Sequence, residues 1–357
     1  MIVGLYKLMK VDKDKGTNLV LTSISGKDEL PFKMAPLIFL STVISHFFGA
    51  SVGREGAALQ LGGSLGNTIG ESFGFRECDR KILIMTGMSA AFSALFGTPA
   101  AAAVFAVEVA VIGTMYIQAL LPCVIAAYTA SRLPLAIGIK PERLPLGNVP
   151  DMSFVLILKL VVLAGLCGVL AIVFCVVMKK TKIYSEKLIK NPWLRVVAGA
   201  AVFIGITALT RSTDYYGTGM NVIERAVTEG KAVPYAFALK LVLTALMLGV
   251  GFKGGEIVPT FFVGATFGCV IGKLLGISPG LAAAAGMASL FCGVTNCPFA
   301  AAIMCFELFG FESAPYILIV TAISYAVSGY CSLYSGQYCD VSKYSLKMGD
   351  TGENTDN

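Results

Sequence analysis

The chain has 357 residues; 56% of them are hydrophobic, only 14% are charged, and the formal net charge is +6. Because an ordinary soluble domain is roughly 25% charged, this composition excludes a disordered, fibrous or nucleic-acid-binding protein and predicts a multi-pass helical membrane protein. The excess positive charge is typical of loops that face an anionic membrane surface.

Apolar segments follow one another along the whole chain, and many of them are short. Several have only about 12 to 18 residues, too few to cross a ~30 Å bilayer upright. The 39 glycines and 14 prolines favour helices that are broken or closely packed at membrane depth, where transporters usually have their substrate site. The segments are 34–51, 57–69, 82–112, 116–133, 152–178, 196–209, 236–251, 258–275, 281–294, 297–309 and 316–328.

Two polar motifs interrupt the first half. Residues 16–18 (Gly-Thr-Asn) place a hydroxyl and an amide before an apolar stretch, which alone is typical of a helix cap. Residues 53–56 (Gly-Arg-Glu-Gly) place a charged pair between apolar segments, where charge is costly and indicates function. A helix predicted from Ala57 would offer free N–H groups to an anion, and Glu55 could occupy that site and leave it when protonated. The alternative is an interfacial loop with a structural Arg54–Glu55 pair.

The second half carries a basic stretch and two further motifs. The positive-inside rule places the basic loop at 179–195 in the cytoplasm. Residues 254–259 (Gly-Gly-Glu-Ile-Val-Pro) precede a helix whose first turn accommodates Pro259. Glu256 is an ionisable group at this break; alternatively, it caps the helix or faces a vestibule. Tyr334 follows the last apolar segment, where a lone tyrosine is commonly an interfacial residue.

The sequence predicts no cofactor and no metal site. Ten cysteines are present, most of them in apolar runs, and they are interpreted as reduced core residues. The single histidine, His46, excludes a two-histidine metal site and a conventional histidine-based triad within one chain.

An internal repeat relates the two halves. Residues 87–109 and 286–308 align without a gap and are identical at 8 of 23 positions. Pro99 and Pro298 are 199 residues apart, as are Glu108 and Glu307. Three upstream glycines recur after 202 residues, and the motif at Gly16 recurs after 203 residues. Three blocks in the same order indicate a duplicated membrane domain, which in transporters is usually an inverted repeat with the site at its interface.

Together these motifs resemble the CLC family of chloride channels and anion/proton antiporters. Residues 53–56 match the family's GREGP signature up to its last position, which is Ala57 here. Residues 255–259 resemble its GxFxP loop, with Ile257 in place of the phenylalanine. Residues 16–20 stand where the family has GSGIP, and residues 333–335 resemble the segment with the pore tyrosine. The motifs occur in family order over nearly the whole chain.

The resemblance implies an all-α membrane fold of two inverted-topology repeats with broken helices, and a site built from helix ends. By position, Glu55 would be the gating glutamate, and Thr17 would replace the serine that touches the central anion. The resemblance places the other anion-binding contacts at Asn18, Tyr334, Arg54, Gly56, Glu256, Ile257 and Val258.

One departure concerns proton coupling. Many proton-coupled members carry an inner relay glutamate directly after a first glutamate; here the first is Glu108 and the relay position is Val109. Thr17, Asn18, the Gly-Arg-Glu-Gly-Ala variant and Glu256 instead resemble the fluoride-exporting branch, which exchanges fluoride for protons without that relay. Fluoride is small and strongly hydrated, so hydroxyls and a protonated carboxyl are suitable donors for it.

We therefore expect a multi-pass plasma-membrane protein, not an enzyme, that exchanges a halide (fluoride or chloride) for protons and forms a homodimer with one pore per subunit. A passive gated chloride channel is the alternative within the same fold, because channels also keep the gating glutamate. An intramembrane enzyme is a distant alternative, since no nucleophile–base or metal cluster is visible. A cation transporter is disfavoured, since the motifs offer glycine N–H groups rather than rings of carboxylates.

The repeat spacing also predicts domain boundaries. We expect a first membrane repeat over 1–135, a second repeat with the final helix over 152–344, and a short polar tail over 345–357. In the second repeat 67 residues (152–218) precede Gly219, whereas only 15 precede Gly16 in the first. The first repeat is therefore expected to lack one helix and most of another at its N-terminus.

Overall fold

The structure, a computed structural model, describes residues 1–11, 15–147, 149–339 and 342–344; the predicted tail at 345–357 lies outside them. These residues form sixteen α-helices and very little strand, and the all-α class is confirmed. The helices are α1 (Ile2–Leu8), α2 (Thr17–Ile24), α3 (Met34–Phe47), α4 (Glu55–Ser72), α5 (Glu77–Phe96), α6 (Pro99–Glu108), α7 (Leu120–Ala130), α8 (Arg132–Ala136), α9 (Phe154–Leu188), α10 (Pro192–Thr210), α11 (Met220–Thr228), α12 (Ala236–Val250), α13 (Ile257–Leu275), α14 (Pro279–Thr295), α15 (Pro298–Phe309) and α16 (Ala314–Val327).

The apolar segments are interrupted at glycine and proline residues. The segment predicted at 82–112 is two helices, because Gly97 ends α5 in the left-handed region (φ 70°) and Pro99 opens α6. The same break recurs between α14 and α15, where Asn296 is left-handed (φ 59°) and Pro298 follows. A left-handed residue ends a helix and a proline fits its first turn, so both breaks are local in origin.

Helix lengths fit a membrane protein with broken spans. Four helical segments are long and apolar enough to cross a bilayer: 117–136, α9, α10 and α13. Six further apolar helices have only 10–17 residues, as expected for helices that stop at membrane depth.

The basic stretch at 179–195 is not the loop that the sequence predicts. Most of it continues α9 as far as Leu188, and α10 already begins at Pro192. Lysine and glutamate are good helix formers, and a helix of 35 residues extends about 52 Å at 1.5 Å per residue. This length exceeds the ~30 Å hydrocarbon core of a bilayer, so we expect the basic end of α9 to lie outside it.

Two glutamates cap helices reciprocally across the repeat. Glu108, the last residue of α6, accepts backbone hydrogen bonds from Phe299 (3.1 Å) and Ala300 (2.7 Å) in the first turn of α15. Glu307 of α15 accepts the equivalent bonds from Ala100 (3.1 Å) and Ala101 (2.9 Å) in α6. A carboxylate at a helix N-terminus satisfies unpaired N–H groups and complements the dipole. The spacing of 199 residues thus corresponds to a symmetric contact between the two halves.

Small residues let neighbouring helices approach closely. A Cβ built on Gly264 of α13 would lie 2.6 Å from the carbonyl oxygen of Gly286 on α14, and Gly62 of α4 faces Gly87 of α5 in the same way. Close backbone approach of this kind is how membrane helices gain packing energy without a hydrophobic driving force.

The segment after α16 returns to the centre of the molecule. Strand β1 (Val111–Ile112) pairs in parallel with β2 (Tyr338–Cys339). Next to it, Gln337 Nε2 donates to the carbonyl oxygens of Val109 (2.8 Å) and Thr295 (2.7 Å). These bonds fix the segment that carries Tyr334 against both halves of the chain.

Candidate anion site

The two glycine loops of the repeat meet at the centre of the molecule. Gly53 and Gly255 exchange two backbone hydrogen bonds, each 2.8 Å long. A Cβ on Gly255 would lie 2.5 Å from the backbone nitrogen of Gly56, so the approach requires glycine. This bridge brings the first turns of α4 and α13, with their free N–H groups, to one point.

Glu55 lies between these two helix starts and is completely buried. Its Oε1 accepts a hydrogen bond from the backbone nitrogen of Arg54 (3.0 Å), and its Oε2 accepts one from Val258 (3.3 Å). The helix begins at Glu55 itself rather than at the predicted Ala57. A side-chain carboxylate therefore occupies the position that two helix dipoles make favourable for an anion.

Arg54 contributes its backbone N–H group to the site, rather than its charged side chain. Its guanidinium is about half exposed and lies 3.7 Å from the carboxylate of Glu142, so the alternative of a structural Arg54–Glu55 side-chain pair does not hold. On the facing helix, Ile257 and Val258 are buried. The backbone N–H of Val258, like that of Arg54, bonds to the Glu55 carboxylate at the site.

The start of α2 lies close to Gly56, where the starts of α4 and α13 meet. Gly16 precedes the helix with φ 59°, and the buried Thr17 is its first residue. Thr17 Oγ1 lies so near Gly56 that a Cβ there would be 2.8 Å from it. Asn18 Oδ1 accepts a hydrogen bond from Gly336 N (2.8 Å) and so anchors the C-terminal segment.

A cavity of about 580 Å³ leads to this point, and Thr17, Asn18, Glu256 and Tyr334 line it. Tyr334 is buried, and its hydroxyl has no hydrogen-bond partner among the described residues. Glu256 directly precedes α13, but its side chain forms no cap hydrogen bond with the helix and lines the cavity. A buried hydroxyl without a protein partner is costly, and this one borders the cavity.

Lysines surround the cavity. Lys179 and Lys182 of α9 line it together with Lys15 and Lys253. Lys15 Nζ lies 2.6 Å from a carboxylate oxygen of Asp28, and this hydrogen bond holds the pKa of Asp28 below its usual value. The positive-inside rule predicts that the open side of the cavity, at the basic end of α9, faces the cytoplasm, and the lysines make it attractive to anions.

Two polar residues near the site escaped the sequence reasoning. Gln60 of α4 is buried; its Nε2 donates to the carbonyl oxygen of Gly56 (3.1 Å), and its Oε1 has no partner among the described residues. Lys240 is fully buried in the apolar helix α12. For Lys240 the available signal was a single charged residue within an apolar helix, whereas Gln60 is one of several polar residues of α4. Among the described residues, no group of three or more His, Cys, Asp or Glu is placed to hold a metal.

A membrane-embedded anion site built from facing helix N-termini defines a class of anion channels and transporters, and comparisons with known proteins agree. The profile of the family "Voltage gated chloride channel" matches residues 1–329. The chain belongs to this family, and it is a multi-pass integral protein of the cell membrane that transports anions. The family consists of channels and transporters rather than enzymes.

Curated relatives cover most of the chain. A "Chloride/fluoride channel protein" of Pseudomonas syringae pv. tomato is 37% identical over 350 residues, which are 96% of this chain and 77% of that protein. The "Voltage-gated ClC-type chloride channel ClcB" of Escherichia coli O17:K52:H18 is 28% identical over 304 residues, 81% of this chain and 71% of that protein.

Solved structures share the fold. A CLC-type fluoride/proton antiporter superposes with a TM-score of 0.90 at 34% identity, covering 95% of this chain and 86% of that one. A slow cyanobacterial Cl−/H+ antiporter superposes with a TM-score of 0.79 at 19% identity, covering 92% of this chain and 81% of that one. At that identity the second likeness concerns the fold alone.

Proposed function

We propose that the protein exchanges fluoride for protons and that Glu55 is its gate. The observation that carries this proposal is the buried carboxylate of Glu55, which accepts backbone N–H bonds from Arg54 at 3.0 Å and Val258 at 3.3 Å. In this position the carboxylate blocks the path of an anion. Protonation removes its charge and weakens both bonds, so that the side chain swings away and an anion takes its place.

The inner part of the proposed path is formed by hydroxyls. Thr17 Oγ1 and Tyr334 Oη border the cavity, and the Tyr334 hydroxyl has no partner among the described residues. An anion entering from the lysine-lined cytoplasmic side would meet these donors first and the backbone N–H groups around Gly56 and Ile257 next. Asn18 Oδ1 holds Gly336, so only its amide nitrogen remains available to an anion.

Fluoride is the favoured substrate for two reasons. The Pseudomonas relative is named as a chloride/fluoride channel protein, and the superposed structure at 34% identity is that of a fluoride/proton antiporter. In addition, a strongly hydrated small anion needs hard donors in exchange for its water, which hydroxyls supply and a protonated Glu55 or Glu256 would add to. Glu256, at the cavity, also offers a second protonatable group in a chain that has Val109 at the relay position.

Liposome transport tests this proposal. Purified protein is reconstituted, a fluoride or chloride gradient is imposed, and halide and proton movements are recorded together. We expect a fluoride gradient to drive protons in the opposite direction, and Glu55→Gln to abolish this coupling. Glu312→Gln, at an exposed residue, is the control and should behave as the wild type.

Each other result contradicts a named part of the proposal. Proton movement driven equally well in Glu55→Gln would refute the gate. Fluoride or chloride flux without proton movement in the wild type would indicate a passive gated channel, and coupling to chloride alone would indicate a chloride/proton antiporter.

We also propose that repeats 1–135 and 152–344 are the two structural halves and that two copies associate. The reciprocal caps of Glu108 and Glu307 support the first point. For the second, α7 and α16 expose large apolar side chains, among them Leu121, Ile125 and Leu318, on helices that also pack near the reciprocal caps. Native mass spectrometry in detergent tests the dimer, and a monomer at all protein concentrations would contradict it.

A further inference from the structure

Lys240 is a fully buried lysine in the middle of an apolar membrane helix. Its relative exposure is 0%, and the other residues of α12 are apolar, glycine or threonine. A charged group at such a depth is costly and is retained where it pairs with another charge or acts on a transported ion. The groups that surround the Lys240 ammonium therefore indicate its function.

Only neutral groups contact the ammonium group directly. Nζ donates to the carbonyl oxygens of Gly217 (2.7 Å) and Tyr215 (3.3 Å) and lies 5.2 Å from the ring centroid of Phe262. Within the described part of the chain, no carboxylate forms a salt bridge with it. These contacts hold the ammonium in place but leave its positive charge unneutralised.

Two contacts place Lys240 near Glu55. One turn beyond Lys240 on the same face of α12, Thr244 Oγ1 lies 3.4 Å from Ser51 Oγ, in the loop that leads to Glu55. Phe262, whose ring faces Nζ, stands one turn after Val258 on α13, and Val258 N donates to Glu55 Oε2 at 3.3 Å.

Other charged groups near this region have their own partners. Asp214, in the loop that Lys240 contacts, forms an ion pair with Arg225 at 2.7 Å, and Arg54 pairs with Glu142 at 3.7 Å. Three titratable side chains also lie around this region: Tyr215 in the same loop, Glu256 directly before α13, and His46, whose Nδ1 bonds to a backbone carbonyl within its own helix α3 at 3.0 Å.

We infer that Lys240 is a positioning residue whose positive charge balances whichever anion occupies the site, the Glu55 carboxylate or the transported halide. Exchange of one for the other then leaves the net charge of the buried region unchanged, so neither state contains an isolated buried charge. The inference rests on the proposed function, because it assigns the anion that replaces the carboxylate to the transported substrate.

Two variants separate the charge of Lys240 from its hydrogen bonds. Lys240→Arg keeps the charge and donors, whereas Lys240→Gln keeps a donor and removes the charge. In liposomes we expect Lys240→Arg to transport within about threefold of the wild type and Lys240→Gln to lose about tenfold or more at pH 7, as for the loss of a desolvated charge pair. The pH of half-maximal transport should rise by about one unit in Lys240→Gln, because the Glu55 carboxylate loses its stabilising charge.

A double variant tests whether Lys240 acts through its charge or only by holding the loop at 215–217 in place. This test works even where Lys240→Gln alone folds poorly. In halide-free buffer, Glu55→Gln leaves Lys240 without a compensating charge, so removing that charge too should raise the melting temperature: Glu55→Gln/Lys240→Gln should melt above Glu55→Gln alone. A lysine that only ties down the loop at 215–217 predicts the opposite order, since a tether is lost in either background.

Each result of these experiments tests either the role of Lys240 or the proposed function, and the two can be told apart. A double variant that melts below Glu55→Gln overturns the inference, as does a Lys240→Gln protein with wild-type flux and pH profile. A wild type that moves no halide in exchange for protons refutes the proposed function instead, and the melting order of the variants still decides whether Lys240 balances Glu55.

Discussion

The reciprocal glutamate caps give a quantitative prediction for stability. Replacing Glu307 by Gln removes the charge while keeping the shape of the side chain. In the wild type its two carboxylate oxygens accept bonds of 3.1 and 2.9 Å from Ala100 and Ala101. Glutamine has one acceptor oxygen, and its NH2 group faces the second N–H donor, so one bond is lost and the other becomes neutral.

The cost follows from these two changes. A hydrogen bond to a charged group contributes about 1.5–3 kcal/mol and a neutral one about 0.5–1.5 kcal/mol. The smaller desolvation cost of the neutral side chain offsets part of the loss, and we expect a net destabilisation of about 2 kcal/mol. With an unfolding entropy of about 2.1 cal/mol/K per residue, this corresponds to a melting temperature lowered by roughly 3 °C. Glu108→Gln should cost at least as much, because Glu108 is the more buried of the two.

The assay is thermal unfolding of purified protein in one detergent at pH 7, followed by fluorescence-detected size exclusion. Glu312→Gln, three residues after the end of α15 and exposed, is the matched control and should melt with the wild type. If Glu307→Gln also melted with the wild type, the carboxylate would not be stabilising the start of α6, and the reasoning from charge-assisted capping would be refuted.

Three further predictions follow from local geometry. Gly56→Ala should fold but lose halide flux, because its Cβ would lie 2.8 Å from a threonine hydroxyl of α2; Gly205→Ala, which meets nothing within 4 Å, should keep full flux. Tyr334→Phe should melt no lower than wild type, since its hydroxyl lacks a partner among the described residues, while fluoride flux falls. The lowered pKa of Asp28 means that its pair with Lys15 stabilises the fold above pH about 4 and is lost on further acidification, so Asp28→Asn should flatten the acid limb of a melting-temperature profile between pH 3 and 7.

Features set by local backbone chemistry were predictable from the sequence. Pro298 begins α15 at the break that the sequence predicts between 281–294 and 297–309, whereas the break at Pro99 falls within the single segment predicted at 82–112. The glutamates that recur with these prolines cap each other's helices. The glycine motifs at 53–56 and 254–259 also precede helices, with an error of two residues at Glu55. Such positions depend on φ preferences and free N–H groups, which neighbouring residues determine.

Features set by distant packing were not predictable. The starts of α4 and α13 meet through the backbone bridge between Gly53 and Gly255, which are about 200 residues apart. In the sequence, only the internal repeat indicated this contact. Arg54 turns to Glu142, although Glu55 is its neighbour in sequence, because burial of Glu55 separates the two side chains. Lys240 was overlooked because its significance comes from the chain that surrounds it, not from its own helix.

The strap formed by Gln337 and β2 has a consequence for biosynthesis. The segment around Tyr334 leaves the ribosome more than two hundred residues after its partner Val109 and more than three hundred residues after its partner Asn18. Contacts of such long range form late. A nascent chain therefore inserts many of its helices into the bilayer well before the cavity is complete, and we expect the inserted chain to conduct no ions until this segment has been translated and has docked.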